Sequence, residues 1–228
     1  MKTIELLDKL KTKAVFRVQD IERIVYCDRK YAKQILNRLK KRKLVKQVRR
    51  NAYTVKDNIS VIASNITFPS YISFWSASHF LGYTEQILNT IHVATTIKIK
   101  PVKFDGYDIK FIRLKQFFGY RKIRTTEGEI FIAEDEKLLI DVFLKPKECG
   151  NFDEIEKIFE QANVSKERII DYLKKTDSQT ITKRVGFLLE KTKGYDISDS
   201  FSLDRNYVIL NPFSSQWNEI NRKWRVKL

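Results

Sequence analysis

Between Asp28 and Arg42 the polar residues are of one kind. Lys30, Lys33, Gln34, Asn37 and Lys41 recur at spacings of three and four, with no acid among them. On a helix such residues share a face, and a solvated face normally mixes Glu with Lys because opposite charges four apart support the helix. A face of lysine and amide alone repels itself unless something negative lies against it. These are also the side chains that reach base edges and phosphates from a helix in a major groove. Shortly afterwards, Arg49-Arg50-Asn51-Ala52 sets two guanidinium groups side by side. At the tip of a loop such a pair suits phosphate or a narrow minor groove. The chemistry these segments point to is non-covalent recognition of a polyanion.

The surrounding pattern predicts the elements that must hold these residues. Ala32, Ile35, Leu36 and Leu39 fall on one stripe at i, i+3, i+4 and i+7, so a helix over about 29–42 buries that stripe and turns the lysine face outward. Asp28 is a suitable N-cap for it. Leu44, Val45 and Val48 on one arm, with Tyr53 and Val55 on the other, flank a turn in which Asn51 tolerates a left-handed backbone. Upstream, Ile4, Leu7 and Leu10 predict a first helix. Val15, Phe16 and Val18 predict an extended stretch, and Ile21, Ile24 and Val25 a second short helix starting at Gln19 or Asp20.

Three short helices and a basic hairpin within residues 1–57 predict a winged helix-turn-helix domain. In it Lys30, Lys33, Gln34 and Asn37 are expected to face bases or flanking phosphates, Arg29 and Lys41 to contact phosphate, and Arg49, Arg50 and Asn51 to form the wing. The expected partner is double-stranded DNA.

Charge distribution points the same way. The chain has 44 Lys and Arg against 28 Asp and Glu, a net of +16, and residues 1–58 hold 18 of the cations but only six of the acids. A quarter of the chain thus carries three quarters of the net charge. A uniform compositional bias would spread it. Concentrated cations release condensed counterions from phosphates.

Beyond residue 57 aromatic and aliphatic residues rise and charge falls. Residues 59–66 read as a connecting helix, and Pro69 precedes a helix expected from about Ser70 to Leu81, ended by Gly82. Strands are expected at 90–96, 109–114 and 129–132, then a helix over 133–143. The loop Lys145-Pro-Lys-Glu-Cys-Gly-Asn151 marks a possible internal boundary near 146–151. Three helices follow at about 153–162, 166–175 and 178–192, then a strand near 207–210 and a Trp-rich tail. The fold class expected is α+β: the winged domain over 1–57, then a larger mixed α+β domain over 58–228 with a helical C-terminal part.

Several classes are disfavoured. A 43% hydrophobic content is that of a chain able to bury a core. No stretch approaches the roughly 18 apolar residues of a spanning helix, so no membrane partner is expected. The N-terminus lacks a leader-like apolar run, and Cys27 and Cys149 are too few and too separated for a disulfide framework. A cytoplasmic protein is expected.

His79 and His92 have no ligand spacing with the cysteines, and none of the seven glycines builds a phosphate cradle; no metal, cofactor or catalytic residue is expected. His79 reads as a half-buried structural residue. The sharpest enzymatic alternative is a Mg²⁺-dependent nuclease using Asp108 with Asp135, Glu136 and Lys137. However, acids in the first turn of a helix are ordinary partners of its dipole.

Several stretches together resemble the AbiEi family, the antitoxin and transcriptional-repressor half of type IV toxin–antitoxin systems related to abortive phage infection. They are Ser70-Tyr-Ile-Ser-Phe-Trp-Ser-Ala-Ser-His-Phe-Leu-Gly-Tyr-Thr-Glu-Gln86 with His92-Val-Ala-Thr-Thr96, and Ala133-Glu-Asp-Glu-Lys-Leu-Leu-Ile-Asp141 with Lys145-Pro146. Arg184-Val-Gly-Phe-Leu-Leu-Glu190, Leu210-Asn-Pro212 and Asn221-Arg-Lys-Trp-Arg-Val226 complete them. The resemblance implies a winged helix that binds operator DNA, expected to carry inverted repeats, and represses its own operon. It also implies a C-terminal region that counters a nucleotidyltransferase-like toxin without requiring a stable complex.

Overall fold

A computed structural model describes residues 2–228. It is a mixed α+β structure that divides into two compact units. One comprises the chain up to Ile72 with Asn89–Leu114 and Lys122–Ile132; the other comprises Ser73–Leu88, Lys115–Arg121 and Ala133–Leu228. No helix among the described residues is long and apolar enough to cross a membrane.

The first unit opens with α1 (Thr3–Lys11), α2 (Val18–Val25) and α3 (Arg29–Lys41), followed by the hairpin of β1 (Lys46–Arg49) and β2 (Ala52–Thr54). Their apolar stripes meet in one cluster: Leu6 and Leu10 of α1, Phe16, Val18 and Ile21, Ala32, Leu36 and Leu39 of α3, and Val45. α2 ends at Tyr26, which adopts a left-handed conformation (φ 54°). α3 begins where Asp28 accepts a hydrogen bond from the Tyr31 amide at 2.7 Å. Phe16 is the extended residue expected from its neighbours. Its N–H and carbonyl exchange 2.8 Å bonds with Tyr53, adding a one-residue third strand to the hairpin.

The chain continues through α4 (Ile59–Ala63), capped by the Asn58 carboxamide, into β3 (Ser70–Ile72), β4 (Thr90–Thr95), β5 (Val102–Phe104), β6 (Tyr107–Arg113), β7 (Tyr120–Arg124) and β8 (Glu129–Ala133). The sheet order is β5-β6-β4-β3-β8-β7. β4 runs parallel to β6 and antiparallel to β3, and its residues from Ile91 to Thr95 are all buried. Such a central strand reads as a continuous apolar run.

Ser70–Ile72 is a strand, not the start of a helix, because Tyr71 and Ile72 are fully buried sheet residues and Ser73 is still extended. β5 and β7, edge strands of three and five residues, were not foreseen.

The second unit is built around α6 (Asp135–Leu144), every residue of which from Asp135 to Phe143 is buried. Packed with it are α5 (Phe74–Phe80), α7 (Phe152–Gln161), α8 (Lys166–Thr176) and α9 (Gln179–Lys193). The side chains of Asn151 and Ser165 cap α7 and α8, and Gly194 ends α9 in the left-handed conformation. Three two-residue strands, β9 (Val208–Ile209), β10 (Ile220–Asn221) and β11 (Val226–Lys227), form a small sheet in the order β10-β11-β9.

The tail is locked by Trp224. Its fully buried ring lies over Gly186 of α9, and its indole N–H donates to Glu190 at 2.5 Å. Trp75 is half-buried against Gly150, whereas Trp217 is exposed and lies beneath the Lys227 ammonium.

Candidate nucleic-acid interface

The lysine-rich face of α3 is oriented by what lies beneath it. Burial of Ala32, Leu36 and Leu39 leaves one rotational setting of the helix. At about 25 cal/mol per Å² of apolar surface, each of the two leucines supplies roughly 1.5–3 kcal/mol toward that setting.

The hairpin is fixed with equal economy of sequence. Val48, Ala52 and Thr54 are buried, the Thr54 hydroxyl donates to the Ala14 carbonyl at 2.7 Å, and the Phe16 and Tyr53 rings stack at 6.2 Å. Asn51 takes the turn's left-handed position (φ 59°), and its side-chain carbonyl accepts from the Val18 amide at 3.3 Å. The turn is thereby tied to the start of α2.

Between α3 and the hairpin lies a groove of about 440 Å³. Leu36, Val18 and Tyr53 line it with Arg29, Lys33, Asn37, Lys40, Gln47, Arg50 and Asn51. The structure therefore brings together five of the nine residues expected from the sequence: Arg29, Lys33, Asn37, Arg50 and Asn51. Lys30, Gln34 and Lys41 are exposed and lie farther round α3, outside the groove lining.

Arg49 is engaged within the protein. It is half-buried, and its guanidinium donates to the Ile66 carbonyl at 3.5 Å. Burial, then the nearby charge of Arg17, lowers its pKa. Sequence reasoning missed Lys40 and Gln47, whose side chains join across the groove at 2.9 Å. Lys40 lies seven residues after Lys33 on the same stripe, and strand alternation around the buried Val48 sets Gln47 outward.

The electrostatics of this region separate into two classes of cation. Lys9, Lys11, Lys13 and Lys46, outside α3, each have a carboxylate partner. Asp20 holds the Lys13 ammonium and also accepts from the Arg17 amide at 2.7 Å. Burial raises its pKa, but these contacts outweigh that and leave it below the ordinary carboxylate value. By contrast, Arg29, Lys30, Lys33, Arg38, Lys40, Lys41 and Arg50 are all exposed, and none forms an ion pair among the described residues.

Three residues of the nuclease alternative, Asp135, Glu136 and Lys137, are buried and hold partners within the fold. Asp135 accepts from the Tyr83 hydroxyl, whose pKa is raised by burial and by that carboxylate. Glu136 accepts from the Ser165 amide at 2.8 Å, and Lys137 forms a fully buried ion pair with Asp141, which also accepts from the Ser73 hydroxyl at 2.7 Å. Asp108 is exposed on β6 and has Lys103 at 3.7 Å. No group of three or more His, Cys, Asp or Glu among the described residues could hold a metal ion. His79 is exposed, which corrects the half-buried position expected for it, while His92 is buried in β4. Both cysteines are free thiols, Cys149 being buried. No protein-family model matches the chain, and a search of curated proteins finds no relative of it.

Proposed function

We propose that this protein binds double-stranded DNA and regulates transcription, with residues 1–57 acting as a winged helix-turn-helix in which α3 enters a major groove and the β1–β2 hairpin serves as the wing. The observation that carries the proposal is the groove between α3 and the hairpin: it is lined by cations that the protein itself leaves without carboxylate partners, together with Asn37 and Gln47. A surface of this kind is stabilised by a ligand that brings closely spaced negative charges, and carboxamides beside it can discriminate base edges.

The test is a binding titration of the full chain against the DNA upstream of its own gene and against a scrambled duplex, at several salt concentrations. Tighter binding to the upstream duplex, with affinity falling linearly in log salt, supports a specific regulator. Equal, weak binding to both sinks it.

The stretches that resemble the AbiEi family extend the proposal: a cytoplasmic autoregulator acting on inverted repeats and countering a nucleotidyltransferase-like toxin. That extension rests on the motif residues alone. Restoration of growth when the chain is co-expressed with such a toxin from the neighbouring gene supports it. Failure to restore growth removes the antitoxin role and leaves DNA binding untouched.

A further inference from the structure

One end of the six-stranded sheet collects cations that the α3–hairpin groove does not use. Thr95, the last residue of β4, pairs with Ser70 of β3 on one side and with Arg113 of β6 on the other. Its hydroxyl also donates to the Pro69 carbonyl at 3.1 Å. The loop over 96–101 leaves β4 at this end and carries Lys98 and Lys100, both exposed, as is Arg113. No ion pair holds any of the three among the described residues, and no acid occurs between Glu85 and Asp105. Two large apolar side chains stand at the same end, Phe68 at 78% exposure and Ile97 at 51%.

The hairpin is fastened beside this end. Lys46, the first residue of β1, donates to Asp105 at 2.9 Å in the β5–β6 turn, which lies at the opposite end of the sheet. Arg49, the last residue of β1, reaches the Ile66 carbonyl, four residues before Ser70. β1 packs along β5. β8 runs parallel to β3 and so begins at the Thr95 end, where Glu127 of the preceding turn accepts from the Asp57 amide, so Arg49 and the chain leaving the hairpin are both held beside this end.

We propose that this sheet end carries the DNA backbone flanking the helix–wing site, with Lys98, Lys100 and Arg113 on phosphates and Phe68 and Ile97 against the adjoining sugars. The inference rests on the DNA-binding reading and lengthens its footprint on the wing side. A protein partner fits the patch less well, because lysine is depleted in protein–protein interface cores and no acid here balances the charge.

The full chain is titrated against two duplexes sharing one core site, the first ending at the wing and the second extended by about one helical turn beyond it. Wild type binds the longer duplex more tightly and with a steeper salt slope. The triple variant Lys98→Ala, Lys100→Ala, Arg113→Ala loses about 2–3 from that slope. It binds both lengths alike and keeps its preference for the upstream core over a scrambled one. Phe68→Ala weakens binding to the longer duplex and leaves the slope in place. A triple variant with wild-type slope and length dependence overturns the inference and gives the patch to another class of partner. A wild-type chain that binds neither duplex overturns it together with the DNA reading, and that failure is visible before any variant is made.

Discussion

Asn37 and Lys33 sit one turn apart on the same groove wall, yet their chemistry separates them. An ammonium meets phosphate as a point charge and carries no sequence information, whereas a carboxamide can present a donor and an acceptor to one base edge. Lys33→Ala and Arg50→Ala are each expected to weaken binding to upstream and scrambled duplexes alike and to lower the salt slope by about 0.9. Asn37→Ala is expected to cost roughly 1–3 kcal/mol on the upstream duplex only, leaving the slope in place. Parallel salt titrations of the three variants on both duplexes check this. Loss of slope in Asn37→Ala, or of sequence preference in Lys33→Ala, contradicts the assignment. Lys40 and Gln47 belong to the same wall, but each already has the other as a hydrogen-bond partner. Either must release that bond before it can serve DNA.

Among the elements, α9 shows how a helix is set by one missing side chain. An Ala in place of Gly in a helix interior is normally favourable by about 1 kcal/mol. At Gly186 an added Cβ would stand 2.2 Å from the ring of Trp224, so the tail must move or the helix must shift. Gly186→Ala is therefore expected to destabilise the protein by roughly 1–3 kcal/mol. Thermal unfolding followed by circular dichroism measures it, and an unchanged or raised midpoint contradicts the packing argument.

α3 and the hairpin were readable in advance because their signals are local. An apolar stripe over Ala32, Leu36 and Leu39, a capping Asp28 and a left-handed Asn51 each act within a few residues. α7, α8 and α9 were readable to within a residue or two at each end for the same reason. β3 was not: Tyr71 and Ile72 precede an aromatic helix, and pairing with Ala94 and Val93 of β4 and with Ile132 of β8 makes them a strand. β5 and β7 are short, charged edge segments whose identity comes from their neighbours. At the candidate site, the helical and turn residues were legible. The engagement of Arg49 with Ile66 and the joining of Lys40 to Gln47 were not, since both depend on segments brought together by the fold.

On the scale of the whole molecule, the helices and hairpin of residues 1–57 share a compact unit with most of the six-stranded sheet. Lys46 holds both Asp57 and Asp105, and the Glu127 carboxylate accepts from the Asp57 and Asn58 amides at 3.0 and 2.9 Å. The hairpin and the chain leaving it are thus fastened to the turns of the sheet. The second unit is organised differently, around a helix whose charged residues are satisfied internally.

The placement of Trp75, Trp217 and Trp224 has an optical consequence. All three tryptophans belong to the second unit, so emission excited in the indole band is blind to the first. During unfolding the fluorescence should follow the second unit alone, while far-ultraviolet dichroism follows both, and the two curves should part wherever the units melt apart. DNA engaging α3 should leave the emission spectrum unchanged, so a fluorophore on the duplex is needed to see binding. Iodide should quench the exposed Trp217 and leave Trp224, sealed over Gly186, still emitting.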